Sequence, residues 1–237
     1  MTYSLTTAIV APIIGVALSV TRSLVPIREV VSIRANRRLG EMNPAPYAAM
    51  ILNHIGWVVY AVLRTDWFIF SADMIGLVSG VWITFSLYPL ASLKVQNRLN
   101  GLILLAATLW GALALVTMIL SSAAPDATLL LWSWTVSVTQ ILLFASPLST
   151  LYKAVVSRNS ASFHLGLSIM SVISSAMWCI YGITIKNLFV LVPNLLGALL
   201  SGVALGVCIL FQRSEVTQTT AQTELNRIQA IGQTVEL

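Results

Sequence analysis

Seven apolar runs dominate the chain, at approximately residues 8–27, 45–63, 67–93, 101–124, 128–149, 165–185 and 188–211. A helix needs roughly 20 residues to cross the hydrocarbon core of a bilayer, and each run has about that length. Lipid offers the backbone no hydrogen bonds, so only helices and closed barrels can span it. A transmembrane barrel would show alternating segments of about 10 residues instead. Charged residues make up only 9% of the chain, against about 25% in a soluble domain. The expected fold is an all-α polytopic membrane protein with seven transmembrane helices. The first run lacks a basic leading segment and continues to Pro26, which argues against a removable signal peptide.

A net charge of +5 would suit a nucleic-acid partner, but its placement excludes one. Arg28, Arg34, Arg37 and Arg38 follow the first run, Lys94 and Arg98 the third, Lys153 and Arg158 the fifth, and Arg213 and Arg227 the last. The alternate connections hold only Arg64 and Lys186. By the positive-inside rule the odd-numbered loops are cytoplasmic, with the N-terminus outside and the C-terminus inside. The expected location is the cell membrane, with lipid as the surrounding partner. Cys179 and Cys208 fall inside apolar runs and are expected to pack as small apolar residues, not to hold a metal. Residues 212–237 are Gln- and Thr-rich and are read as a disordered cytoplasmic tail.

Shifting the chain by 121 residues pairs Pro26 with Pro147, Trp57 with Trp178, Tyr60 with Tyr181, Phe68 with Phe189 and Gly76 with Gly197. Such residues are hard to align by chance, so the shift marks an internal repeat. Each copy holds three helices, an odd number, and copies joined directly would point in opposite directions. The fourth helix restores the direction. The expected architecture is 3+1+3: residues 1–93 form a first repeat, 94–127 an inverting linker helix, and 128–211 a second, parallel repeat. A substrate site then belongs near the midplane, where the two bundles face each other. Gly76 and Gly80, like Gly202 and Gly206, are spaced for close helix packing. Pro26 and Pro147 lie late in their runs, where proline bends or ends a helix. Their repetition favours a hinge.

The second copy reads Ser146-Pro147-Leu148 at the end of helix 5, then Trp178-Cys179-Ile180-Tyr181-Gly182 in helix 6. Helix 7 carries Val192-Pro193-Asn194 followed by Gly197. In this order and spacing the chain resembles the SWEET sugar transporters, which the first copy matches more loosely through Pro26, Pro46, Asn53, Trp57, Tyr60 and Gly76. The related PQ-loop branch fits less well, because Ile27 and Leu148 follow the hinge prolines. The resemblance implies passive, bidirectional movement of a mono- or disaccharide by alternating access, without a metal, nucleotide or other cofactor. It places the sugar between two tryptophans and two asparagines. It also implies a cytoplasmic gate of prolines, here Pro26, Pro46 and Pro147, and an outer gate near Tyr60 and Tyr181. His164 stands where the family's fourth proline is expected. Self-assembly is allowed by the same resemblance.

The chemistry of the residues points the same way. Trp57 and Trp178 offer aromatic planes for the C–H faces of a sugar, one from each half. Asn194 can both donate and accept hydrogen bonds. Its repeat mate is Asp73, where the family pattern has asparagine. Arg22 and Leu143 occupy the position four residues before each hinge proline, which the resemblance assigns to the pocket wall and which is normally small and apolar. A lone charge at mid-membrane costs about 2.5–3.5 kcal/mol on insertion scales, so Arg22 and Asp73 are expected to pair. Ser19 with Gln140, and Asn53 with Ser174, are further repeat-related polar candidates.

Other classes remain open at this point. A carboxylate such as Asp73 could instead couple a carrier of sugar or another small polar solute to protons. A seven-helix receptor shares the helix count but needs no repeat, and a retinal protein needs a lysine in its last helix, which residues 188–211 lack. An intramembrane enzyme has no zinc-type motif to work with. His54 beside Asn53 reads as a packing or hydrogen-bonding residue.

Overall fold

A computed structural model describes residues 5–40, 42–144, 148, 151–152, 155–156 and 165–210. Pro147, His164 and the tail 212–237 lie outside the described residues. The chain forms α1 (Leu5–Asn36), α2 (Ala45–Arg64), α3 (Trp67–Leu87), α4 (Leu93–Leu120), α5 (Pro125–Leu143), α6 (Leu165–Thr184) and α7 (Leu188–Leu210). A single 3-10 turn, Tyr88–Leu90, links α3 to α4. Among the described residues all are long and apolar enough to cross a membrane except α5, which carries Asp126 and Gln140.

The expected runs and the helices agree closely for α2, α6 and α7 and diverge at α1 and α4. Helix α1 continues through Pro26 to Asn36, so Pro26 is internal and does not end the helix. Its missing N–H leaves the carbonyl of Arg22 without its helical partner. Helix α4 begins at Leu93, eight residues before the apolar run, and takes up Lys94 and Arg98. Arg28 and Arg34 are likewise helical. These basic residues extend helices beyond the apolar stretch, where the backbone keeps its hydrogen bonds although the side chains have become polar.

The repeat is visible in the turns. Thr65 and Lys186, 121 residues apart, both adopt left-handed backbone with φ of 54° and 53°. The N–H of Asp66 reaches the carbonyl of Ala61 at 2.8 Å, and that of Asn187 reaches Gly182 at 2.8 Å. Asp66 Oδ1 then accepts from the N–H groups of Phe68 and Ile69, capping α3. Asn187 Oδ1 accepts from Phe189 N–H and caps α7 in the same way. Both turns satisfy orphan backbone groups at a helix end and a helix start.

In the first bundle α3 packs against both α1 and α2. Between the halves, α1 packs on α6 and α2 on α5, with α4 against α2 and α5. Helix α7 meets α5 where Ser137 Oγ donates to the Phe189 carbonyl, and meets α6 through the free thiols Cys179 and Cys208. The largest buried cluster gathers Trp57, Tyr60, Trp110, Trp132, Val136, Trp178 and Tyr181 at this junction. Trp110 and Trp132 stack at 5.4 Å between centroids and 6° between planes. Gly56 makes room for Trp110, since a Cβ there would lie 2.5 Å from the indole. Trp110 Nε1 donates to the Leu52 carbonyl at 2.8 Å. The outer faces are apolar and bare, as lipid contact requires: Met118 and Ile119 of α4 are 79% and 73% exposed. Gly202 and Gly206 meet no described atom within 4 Å, so the close packing expected at that pair is not seen among the described residues.

Candidate functional site

A cavity of about 430 Å³ lies between the two bundles, within the size range of small-molecule sites. Its wall takes Ser19 and Arg22 from α1, Asn53, His54 and Trp57 from α2, and Asp73 from α3. The other half contributes Gln140 and Phe144, Ser174 and Trp178 from α6, and Asn194 from α7. Helical periodicity explains the convergence: residues three or four apart share a face, as do Ser19 with Arg22, Asn53 with Trp57, and Ser174 with Trp178.

Trp57 and Trp178 are both buried, and each meets its own tyrosine edge-on, at 5.4 Å for Tyr60 and 5.9 Å for Tyr181. Trp178 lies against Gly15 of α1, where a Cβ would sit 3.1 Å from the indole. Its Nε1 donates to Ser19 Oγ at 3.1 Å, and Ser19 Oγ lies 3.3 Å from Ser174 Oγ. The second tryptophan is thus held by the first bundle. Asn194 Nδ2 donates to the Val190 carbonyl one turn back at 2.8 Å, which leaves its Oδ1 as an acceptor on the wall. Along α2, Asn53 Oδ1, His54 Nε2 and Trp57 Nε1 are buried without a hydrogen-bond partner among the described residues. Unmatched polar atoms are costly in a buried wall and need a reason.

Leu143 does not line the cavity. The neighbouring Phe144 does, with its ring 3.2 Å from the position a Cβ would take on Gly197. One residue along a helix is about 100° of rotation, enough to exchange wall for outer face. The expected Arg22–Asp73 ion pair is not formed either. Asp73 Oδ1 lies 2.7 Å from His54 Nδ1. Arg22 makes no ion pair among the described residues, although the field of Asp73 reaches it. The sequence allowed His54 a packing or a hydrogen-bonding role, and the structure has the hydrogen bond. The cue to its partner is Gly76, one turn after Asp73, whose absent side chain admits the imidazole.

One end of the cavity is closed by two bonds between the halves. Tyr181 Oη donates to Asp66 Oδ2 at 2.8 Å, and Asn187 Nδ2 donates to Tyr60 Oη at 2.6 Å. Both are related by the same shift of 121 residues. Asp66 and Asn187 were absent from the sequence-based candidates because they lie between the apolar runs. From the tryptophans the cavity extends away from these turns, toward Ser168 and Ala204. Neither Pro26 nor Pro46 lines it; Pro46 is exposed in the first turn of α2, while Pro44 is buried before it.

Residues 10–93 and 130–216 match the family described as "Sugar efflux transporter for intercellular exchange". The chain is 31% identical over 164 residues to "Sugar transporter SWEET1" of Mus musculus, covering 68% of this chain and 72% of that one. It is 24% identical over 205 residues to "Bidirectional sugar transporter SWEET13" of Oryza sativa subsp. japonica, covering 85% and 68%. In fold it matches a solved eukaryotic SWEET transporter with a TM-score of 0.75 at 20% identity, over 87% of this chain and 97% of that one.

Proposed function

Because this chain belongs to the SWEET family of sugar transporters, we propose that the cavity between its bundles is the site through which a mono- or disaccharide crosses the membrane. The protein is a multi-pass membrane carrier, not an enzyme, and moves sugar passively. Receptor and proton-coupled readings find no support in its relatives, which are named as sugar transporters.

The observation that carries the site assignment is the convergence of Trp57 and Trp178, one from each half, with Asp73 and Asn194 around one cavity. Aromatic planes accept the C–H faces of a pyranose or furanose ring. Asp73 and Asn194 accept hydroxyl protons, and Arg22 donates. The two bundles close around the sugar at one end through Tyr60, Asn187, Tyr181 and Asp66. With the basic connections cytoplasmic, that end is extracellular, the C-terminus is inside, and the described conformation faces inward from the cell membrane. Pro26 supports a hinge, since it lies one turn below Arg22 of the cavity wall and frees that residue's carbonyl. The domain reading follows: α1–α3 and α5–α7 move as repeats about the linker α4.

Counterflow of labelled glucose, fructose and sucrose in liposomes tests this. One of the three should exchange, and Trp178→Ala should abolish the exchange. Exchange of none of them by the wild type would reject the assignment.

A further inference from the structure

Arg22 and Asp73 form no direct ion pair, and the carboxylate is engaged by His54 instead. The imidazole of His54 lies against Gly76 on α3, where a Cβ would stand 2.5 Å from Cε1 and 2.6 Å from Nε2. Any side chain at 76 would evict it. From this slot Nδ1 reaches Asp73 Oδ1 at 2.7 Å. An ionised carboxylate only accepts, so Nδ1 carries the proton and donates. The side chains of His54 and Asp73 are 12% and 17% exposed, so solvent competes little for this bond. Asp73 Oδ2 has no hydrogen bond among the described residues, and Arg22 has none. Both residues line the cavity.

The second repeat carries the same slot with a different occupant. Gly197 corresponds to Gly76, and Ser175 corresponds to His54. Ser175 Oγ and the Phe144 ring each lie 3.2 Å from the Cβ position on Gly197. A hydroxyl there is too short to span the distance an imidazole covers, and Asn194 turns to its own helix instead. Only in the first repeat does the residue in the slot reach the polar group on the facing helix, at Asp73.

We propose that His54 is a positioning residue for substrate binding. It holds the Asp73 carboxylate by Oδ1, away from Arg22, so that Oδ2 and the Arg22 guanidinium stay free as an acceptor and a donor for neighbouring hydroxyls of the sugar. Gly76 acts through it by providing the slot. This inference rests on the assignment of the cavity to sugar, and the two can fail separately.

The test measures counterflow of labelled glucose, fructose and sucrose by liposomes containing the wild type, His54→Ala, His54→Asn, Gly76→Ala and the Gly76→Ala/His54→Ala double variant. For the sugar that exchanges, His54→Ala should raise the half-saturation concentration about tenfold, equivalent to about 1.4 kcal/mol, with the maximal rate little changed. His54→Asn, whose amide keeps a donor near the Nδ1 position, should recover most of the affinity. Gly76→Ala should match His54→Ala, and should add nothing in the His54→Ala background. An unchanged half-saturation in both His54→Ala and Gly76→Ala would overturn the proposal. So would a Gly76→Ala penalty of equal size with and without His54. If the wild type exchanges no sugar, the cavity assignment falls first and takes this inference with it.

Discussion

Tyr181 and Asp66 belong to opposite halves of the chain, yet the phenol donates to the carboxylate at 2.8 Å. Their repeat mates Tyr60 and Asn187 make the matching bond with its direction reversed, the amide donating to the phenol. A carboxylate has no proton to give, so Asp66 must accept where Asn187 donates. Hydrogen bonds with one ionised partner are roughly twice as strong as neutral ones. The two closures are therefore unequal.

Tyr181→Phe should loosen this end more than Tyr60→Phe. A hydrogen bond to a charged group contributes about 1.5–3 kcal/mol, against about 0.5–1.5 for a neutral one. Spin labels at Arg64 and Lys186, both exposed beside the turns, should report a longer and broader distance distribution in Tyr181→Phe. Equal distributions for the two variants would contradict the ranking.

Asp73→Asn removes the carboxylate that shares the cavity wall with Arg22 and leaves the guanidinium without it inside the bundle. Such a charge costs about 2.5–3.5 kcal/mol at mid-membrane. Counterflow and thermal stability should both fall in Asp73→Asn, and the Arg22→Leu/Asp73→Asn double variant should recover part of the stability. A double variant less stable than either single would show that the charges do not compensate each other.

Gly15→Ala touches no sugar but presses on Trp178, since its Cβ would stand 3.1 Å from the indole. Displacing the ring also strains its bond to Ser19. Half-saturation should rise several-fold, while Gly111→Ala, which meets no described atom within 4 Å, should be silent. A silent Gly15→Ala would mean that the tryptophan is held elsewhere.

Gly56→Ala should lower the melting temperature in detergent more than Gly15→Ala does. Its Cβ would lie 2.5 Å from Trp110 and 3.0 Å from Val136, both locked in the core. Overpacking of this kind costs about 1–3 kcal/mol. An unchanged melting temperature would show that α4 yields easily.

Hydropathy located the helices well wherever lipid and helix end together, as at Ala45 and Leu188. It misplaced the C-terminal end of α1 and the start of α4, because transfer energy stops at the headgroups while backbone hydrogen bonding does not. The shift of 121 residues singled out Trp57, Trp178, Asp73 and Asn194, and the fold sets these on one cavity. The position four residues before each hinge proline, which the resemblance assigned to the wall, gave Leu143 beside the wall residue Phe144, since a count along the sequence cannot reveal one step of helical rotation. His54 was legible only as a polar residue in an apolar run; its partner and its slot on α3 are 19 and 22 positions away. Asp66 and Asn187 obeyed the repeat and the chemistry of helix caps, but stood outside the segments that hydropathy highlights.

The matching slots at Gly76 and Gly197 hold an imidazole in one half and a hydroxyl beside the Phe144 ring in the other. Arg22, His54 and Asp73 therefore give the first bundle an ionic wall, while Gln140, Ser175 and Asn194 give the second a neutral one. Two like walls would let a sugar lie either way round with equal energy. Unlike walls give its two ends different addresses, so a molecule turned end for end is, to this carrier, a different cargo.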